Sequence, residues 1–441
     1  MAAVTIFHYP IPSSKRAQRY LKLRLQALLF LSLQIGIVIY FSVPKPFLSF
    51  GILMVKIESF DYIMYDIAII GAGAAGLQLA LAMHRDPFFA EKKILLLEKG
   101  AKDQNDRTWC FWEKGEGKWD ALLRKSWAKG DFYYKNYTRP LDLLPYRYKM
   151  LRGLDFYSFA KQELNKTGQF TWQTDHILSV TNGEPIQIQG EHGSYSAEYV
   201  FDSRIPEAFF EDDDPYTRLL QHFKGWVIRT PEDRFDPERF TMMDYRLRWE
   251  NTTSFTYVLP LNRREALVEF TLFSPSLLKE GEYDQLLQQY CDKTLKIKEF
   301  EIIEMEQGVI PMTDFPFEKY SVGNHVRIGT GGGWVKPSTG YSFKNCERNA
   351  QRIVRNLKAG RPANQNMISS KFRLYDAIFL DVLNRRNGLG PSLFYTMYQK
   401  NSIQQIFEFL DDESGLLDDL RIIVGFPKWP FLRALFNFLI R

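Results

Sequence analysis

Two groups of residues in this chain have types and spacings that do chemistry. Gly71, Gly73 and Gly76 form a G-x-G-x-x-G turn, and Glu98 lies one strand beyond it. In such a turn the first glycine permits a tight bend. The second lets backbone approach a pyrophosphate, and the third lets a helix pack on a strand. The helix that follows presents unpaired N–H groups and a favourable dipole to phosphates. An acid at the end of the next strand is placed to hold a ribose hydroxyl. The chemistry implied is dinucleotide binding. The second group centres on Glu269, a carboxylate inside the apolar run from Glu265 to Phe273.

The elements around the glycines support the first reading. Asp66 to Ile70 is a short apolar run suited to a buried parallel strand. Ala74 to Arg85 follows as a helix, and Lys93 to Leu97 as the second strand, ending at Glu98. The fingerprint alone leaves FAD and NAD open. A second glycine-rich turn, Gly329-Thr330-Gly331-Gly332-Gly333, follows a short strand at Val326 to Ile328 and is expected to open a helix reaching about Leu357, with Gly340 inside this stretch. Two strand-to-helix glycine turns far apart favour FAD. Gly329, Gly331, Gly332 and Gly340 are the candidates to meet its ribityl-pyrophosphate. Arg107, just past the second strand, is a candidate for the phosphates.

Around Glu269 the alternation of a strand puts Leu267, Glu269, Thr271 and Phe273 on one face. The other face carries Ala266, Val268, Phe270 and Leu272. Buried there, the carboxyl would be held neutral by desolvation and able to protonate an alkene. Exposed, it would be an ordinary glutamate paired with Arg263 or Arg264. Residue type alone favours the exposed reading, because charged side chains are mostly at the surface.

The rest of the chain sets bounds. At 441 residues, with 45% apolar and 25% charged residues, it is long enough for a full core and too apolar for wholesale disorder. The net charge of +5 is diffuse and no nucleic-acid motif accompanies it. Cys110, Cys291 and Cys346 are odd in number and widely spaced, which excludes a disulfide scaffold or a zinc site and favours a reducing compartment. Before Tyr65 a basic flank, Lys15 to Arg24, precedes an apolar run, Ala27 to Val43. This leader (1–63) reads equally as a membrane anchor with its basic end in the cytoplasm or as an over-extended translation start before Met64.

Several motifs then carry a resemblance. Asp106-Arg107-Thr108-Trp109-Cys110-Phe111-Trp112, Val200-Phe201-Asp202-Ser203-Arg204, Gln221-His222-Phe223 with Gly225-Trp226, and Pro337-Ser338-Thr339-Gly340-Tyr341 are similar to the lycopene cyclase family, of the bacterial and plant beta-cyclase type. The similarity runs from about Tyr65 to the C-terminus. It implies an α/β flavoprotein of the two-dinucleotide-binding kind. The FAD domain would be discontinuous, over 64–204 and 305–360. A substrate-binding β-sheet region would occupy 205–304, and a helical, membrane-contacting region 361–441. Leu267-Val268-Glu269-Phe270-Thr271 resembles the family's acid motif, in which two acids precede a threonine, so Glu269 takes the catalytic position. The second acid is Phe270 here, which leaves Glu269 to rely on burial and flavin. Lys336 stands where the family has histidine and receives no role.

The activity implied is redox-neutral closure of the acyclic ends of lycopene to β-ionone rings, with reduced FAD and with NADPH or NADH as its reductant. The partners implied are an acyclic carotenoid and the cytoplasmic face of a membrane. The apolar C-terminal run with Trp429 suits that interface, and equally suits a core helix. The alternatives are a flavin oxidoreductase acting on an isoprenoid, and a non-enzymatic prenyl carrier. Mono- or bicyclic product, β- or ε-ring and oligomeric state stay open.

Overall fold

The computed structural model describes residues 5–7, 39–42, 49–52, 64–211 and 215–440. The leader forms a unit of its own. Within it, Thr5–Phe7 and Ile39–Ser42 both pair with Ser49–Ile52. Most of the stretch read as anchor or artefact lies outside the described residues.

The unit from Met64 onward is built on two large sheets. The first is a parallel core. Strand β1 (Met64–Ile70) feeds the glycine turn and helix α1 (Ala74–His84), and β2 (Ile94–Glu98) pairs beside β1 in parallel. After β2 come β3 (Thr108–Lys114), β4 (Lys125–Trp127), β5 (Lys129–Tyr134), β6 (Tyr137–Asp142) and β7 (Tyr146–Arg152), then α2 (Gly153–Leu164). Next, β8 (Phe170–Thr174) pairs parallel to β2, and β9 (Ile177–Thr181) and β10 (Ile186–Gly190) form antiparallel hairpins leading to β11 (Ser194–Asp202). The sheet order is β8-β2-β1-β11-β10-β9. The apolar runs of β1 and β2 are buried because helices and hairpins cover both faces of the sheet, as a parallel sheet requires.

The second sheet carries Glu269. Its strands are β12 (Arg218–Arg229), β13 (Arg239–Asp244), β14 (Thr253–Pro260), β15 (Glu265–Ser274) and, after helix α3 (Glu282–Tyr290), β16 (Glu301–Thr313). The order is β16-β12-β15-β14-β13-β5-β6. The expected boundaries are therefore corrected at two places. Residues 129–142 and 305–313, read as parts of the FAD domain, pair into the substrate sheet. Hydrogen bonding across strands decides sheet membership, and chain order does not.

The segment 277–297, which carries α3, buries Leu286, Leu287, Tyr290 and Cys291 against this sheet. Their partners include Ala266, Val268, Phe270 and Leu272. The opposite face of β15, with Leu267 and Phe273, packs into a separate core formed with the C-terminal helices. The period-2 split of β15 is thus as the alternation implied, with both faces buried.

Strand β17 (His325–Arg327) returns the chain to the parallel sheet, beside β11. The glycines after it make a short 3-10 turn, Gly329–Gly332, and helix α4 starts only at Phe343 and runs to Lys358. The expected helix directly after the turn is displaced by the loop 333–342, where Gly333 and Gly340 adopt positive φ. The C-terminal part comprises α5 (Ser370–Arg385), α6 (Gly390–Lys400), α7 (Ile403–Leu410), α8 (Leu416–Val424) and α9 (Lys428–Leu439). Helices α6 and α7 are separated at Asn401, where Ser402 forms a capping box with Gln405.

Candidate active site

Segments distant in sequence meet at one cleft of about 370 Å³. The fingerprint turn contributes Gly73, Ala74, Ala75 and Gly76, and the second glycine turn contributes Gly329 and Thr330. The two turns touch: a Cβ on Gly329, at φ +58°, would lie 3.0 Å from that of Ala75. Gly71, at φ +97°, would place a Cβ 2.0 Å from the Ser203 Oγ. Gly76 would place one 2.0 Å from the Gly71 carbonyl oxygen, so helix α1 sits directly on its own turn. Gly73 faces open space. Its helix start has no side-chain cap and no acid in the first turn. Lys102 and Arg107 also line the cleft, with Asp106, whose carboxylate pairs with Lys102 at 2.9 Å. Uncapped N–H groups, a side chain's worth of free space and two cations fit a pyrophosphate.

The other predicted cofactor residues divide. Gly340, at φ +75°, lines the cleft beside Gln221. Gly331 and Gly332 are buried and do not line it: their missing side chains admit the backbone oxygens of Arg204 and Arg327. Glu98 accepts a 2.6 Å hydrogen bond from the Ala72 N–H and so holds the turn itself. Lys102 was missed by the sequence reading because a lysine in a polar loop carries no signal. Buried Gln221 Oε1 and Thr339 Oγ1 have no hydrogen-bond partner and both belong to residues lining the cleft. Unpaired buried polar atoms beside a cleft mark where a polar ring system would be received.

A direct stability test follows from the Gly76 geometry. Gly76→Ala is expected to cost about 1–3 kcal/mol, since the new methyl meets backbone that cannot move aside. Flavin retained on gel filtration is expected to fall with it, because the displaced turn is the one that meets the pyrophosphate. Calorimetry and the flavin-to-protein absorbance ratio measure the two effects.

The far end of the cleft holds carboxyls among aromatic rings. Glu269 on β15 lines it, as do Trp109, Tyr148, Phe223, Tyr257 and Tyr341. Glu269 keeps partial exposure because it borders the cleft, yet protein packs densely around it. Desolvation first, and the neighbouring Glu306 carboxylate second, hold its carboxyl well above the usual carboxylate range. Thr271 Oγ1 donates to Glu269 Oε1 at 2.9 Å. Arg263 and Arg264, the partners of the exposed reading, are at the surface, and Arg264 pairs with Asp233 instead.

Glu306, which the sequence reading did not single out, lies on β16 and is hydrogen-bonded to Glu269. Burial raises its pKa too, while Thr108 and Glu269 pull it back down. Phe270 points to the α3 side and is fully buried there. The expectation that position 270 would have held the helping carboxylate is corrected: neighbours in a strand face opposite ways.

The aromatic motif around Arg107 also divides. Trp109 stacks on Phe343 with centroids 5.1 Å apart and lines the cleft. Trp112 is core, stacked on Phe407 at 4.4 Å. Lys336 is buried in an ion cluster with Asp376 and Asp412, the latter at 2.6 Å.

A second cavity, of about 420 Å³, lies among the C-terminal helices. Its lining is mostly apolar, including Phe372, Phe379, Leu393, Phe394, Phe431 and Leu435, and it shares Thr339 with the cleft. Among the described residues no group of acids, histidines and cysteines could hold a metal ion.

The profile of the family described as "Lycopene cyclase protein" matches residues 66–436. The chain belongs to the lycopene cyclase family. A curated relative of this cyclase-family chain, the chloroplastic neoxanthin synthase of Solanum tuberosum, is 26% identical over 300 residues. That match covers 63% of this chain and 57% of the relative, so it spans little more than half of the relative's length. Among solved structures, a geranylgeranyl bacteriochlorophyll reductase-like protein of Thermoplasma acidophilum superposes with a TM-score of 0.51 at 12% identity. It covers 84% of this chain and 96% of its own. The flavin-dependent brominase Bmp2 gives a TM-score of 0.50 at 16% identity, covering 85% of this chain and 99% of its own. The cyclase-family chain therefore has the α/β fold of flavin-dependent enzymes.

Proposed function

We propose that this cyclase-family protein closes the acyclic ends of lycopene to β-ionone rings without net redox change, using bound FAD. The observation that carries the reading is a buried carboxyl, Glu269, which desolvation pushes toward its neutral form, set among aromatic faces in the same cleft as two convergent glycine turns. Family membership and a relative named for a carotenoid product support a carotenoid as the substrate class.

The glycine turns, Lys102 and Arg107 would hold the pyrophosphate of FAD, with Glu98 bracing the first turn from behind. Reduced flavin, when bound, supplies an electron-rich ring that stabilises positive charge, and NADPH or NADH would be its reductant. The chain's own residues do the rest. Glu269 gives its proton to the terminal alkene of the end group. The neighbouring double bond attacks the resulting cation and closes the ring. Tyr257, Tyr341 and Trp109 exclude water that would quench the cation, and their faces attract it. Loss of a ring proton completes the reaction.

The apolar cavity next to Thr339 would take part of the polyene. The helices beside it would rest on the membrane that contains the substrate, at its cytoplasmic face. Leu417, Val424, Trp429 and Phe436 on α8 and α9 are 62–84% exposed, with Arg421, Lys428 and Arg433 near them. No described helix is long and apolar enough to cross a membrane. A surface-bound mode needs exposed apolar and basic groups together, which these helices have. Replacing Trp429, Leu432 and Phe436 together by serine is expected to lower co-sedimentation with anionic vesicles about tenfold or more. Unchanged sedimentation would reject this surface.

The reading is tested by expressing the full chain in bacteria that accumulate lycopene and separating the pigments. Formation of β-carotene is expected, with NAD(P)H consumed only to reduce flavin. Persistent lycopene with a folded, flavin-loaded protein would reject it. Consumption of NAD(P)H in step with product would instead point to a flavin oxidoreductase.

A further inference from the structure

We propose that Glu306 and Glu269 act as one carboxyl pair, assembled across the missing side chain of Gly225, that carries a single proton into the cleft. The inference rests on the reading of Glu269 as the acid and adds Glu306 as the residue that positions and holds its proton.

The sheet register makes the pair possible. Strand β12 runs between β15 and β16, and Gly225 is the cross-strand partner of Glu269 on one side and of Glu306 on the other. Strands two apart in a sheet are separated by about 10 Å, too far for short side chains to meet over an occupied middle position. Here the middle position is empty. A Cβ on Gly225 would lie 2.9 Å from the Leu267 Cδ1, 3.2 Å from the Glu306 Cγ and 3.3 Å from the Glu269 Cβ. The two side chains flank that gap, and their carboxyls are within hydrogen-bond reach of each other. The motif Gln221-His222-Phe223 with Gly225-Trp226 is thereby explained. Gln221 and Phe223 line the cleft, Gly225 makes room for the acids, and Trp226 packs toward α3.

Each outer oxygen has its own hydroxyl donor. Thr271 Oγ1 donates to Glu269 Oε1, and Thr108 Oγ1 donates to Glu306 Oε2 at 2.5 Å. The bond between the carboxyls needs one proton. With none the two charges repel, and with two the central bond gains nothing. The other groups facing the pair are Glu304 and Arg152 beside Glu306, and Cys110, Tyr148, Tyr257 and Tyr341 around Glu269. The Thr108 hydroxyl favours the ionised form of Glu306 while Glu304 opposes it, and the stronger upward push falls on Glu269, which we assign as the proton carrier.

The pair then serves both ends of the reaction. A proton leaves Glu269 and bonds to the terminal alkene carbon, a carbon–carbon bond closes the ring, and a ring C–H bond breaks. After the first step the pair is doubly negative next to a cation, which makes it the strongest base on the cleft wall. The ring proton returns to it, and no electron changes hands.

The test is an infrared titration of the protonated carboxyl in the full-length, flavin-loaded protein, with the band assigned by its loss in Glu269→Gln. Glu306→Gln removes the neighbouring charge and keeps the shape. Its titration midpoint is expected at least one pH unit lower than wild type. Gly225→Ala, which wedges a methyl between the acids, is expected to move the midpoint in the same direction and covers the case in which Glu306→Gln fails to fold. In Glu306→Gln, kcat at about pH 8 relative to about pH 6 is expected to drop about tenfold more than in wild type, with KM unchanged. A midpoint within about 0.3 unit of wild type in both variants overturns the pair. If the midpoints shift as expected while wild type leaves lycopene untouched, the pair stands and the cyclase reading fails. If lycopene is cyclised and the midpoint does not move, the pair alone is wrong.

Discussion

Glu269→Gln is expected to lower cyclisation about 10²- to 10⁴-fold, the range in which positioned general acids contribute, while fold and bound flavin are retained. Glutamine has nearly the same volume, so Leu267 and Tyr257 beside it keep their packing. Its amide oxygen still accepts from the Thr271 hydroxyl, and its amide hydrogens still reach Glu306. What is lost is the proton. The measurement is pigment conversion by purified, flavin-loaded protein on lycopene in vesicles, alongside the visible flavin spectrum and a melting curve. Conversion within tenfold of wild type would show that another group delivers the proton.

The pH behaviour follows with a definite sign. The acid form of Glu269 is the active one, so wild-type turnover falls as pH rises through the raised pKa. Stability moves the same way. Between the unfolded and the folded pKa of Glu269 the native state binds more proton than the unfolded chain, so stability falls as pH rises through that window. Glu269→Gln has no proton to lose. Its melting temperature relative to wild type is expected to rise on going from acid to alkaline buffer.

Phe270→Glu, which restores an acid next to Glu269 in sequence, is expected to unfold the protein or to destabilise it by more than about 3–5 kcal/mol. Phe270 is fully buried in the core under α3, with Leu286, Leu287 and Tyr290 in the same cluster. Deleting a buried phenylalanine side chain alone costs about 3–5 kcal/mol. A carboxylate in its place must also be desolvated or stay protonated, and the cross-strand Lys224 is already paired with Asp284. Denaturant unfolding of Phe270→Glu and Phe270→Leu separates the two costs. Phe270→Leu is expected to fold and to keep cyclising lycopene. A stable Phe270→Glu with faster turnover would show that position 270 reaches the cleft, and would overturn the assignment of faces to β15.

Much of the scaffold was legible in the residues. The turn Gly71–Gly76 sits between a strand and a helix as its spacing implied, because that backbone geometry is local. The alternation of Glu265–Ser274 was right for the same reason: a strand's faces follow from period alone. Chain order was a poor guide to sheet membership. Residues 129–142 look like a continuation of the nucleotide domain, and only their pairing with β13 assigns them to the other sheet.

The sequence by itself determined the glycine turns, the strand that carries Glu269 and the apolar C-terminal helices, since each rests on contacts within a few residues of chain. Tertiary structure alone decided that the two glycine turns touch, that Gly331 and Gly332 serve packing, and that the partner of Glu269 is Glu306, 37 residues further on. That partnership depends on two strand registers and on a side chain that Gly225 does not have. Neither strand records it, because the distance between two acids across a sheet is set by what stands between them.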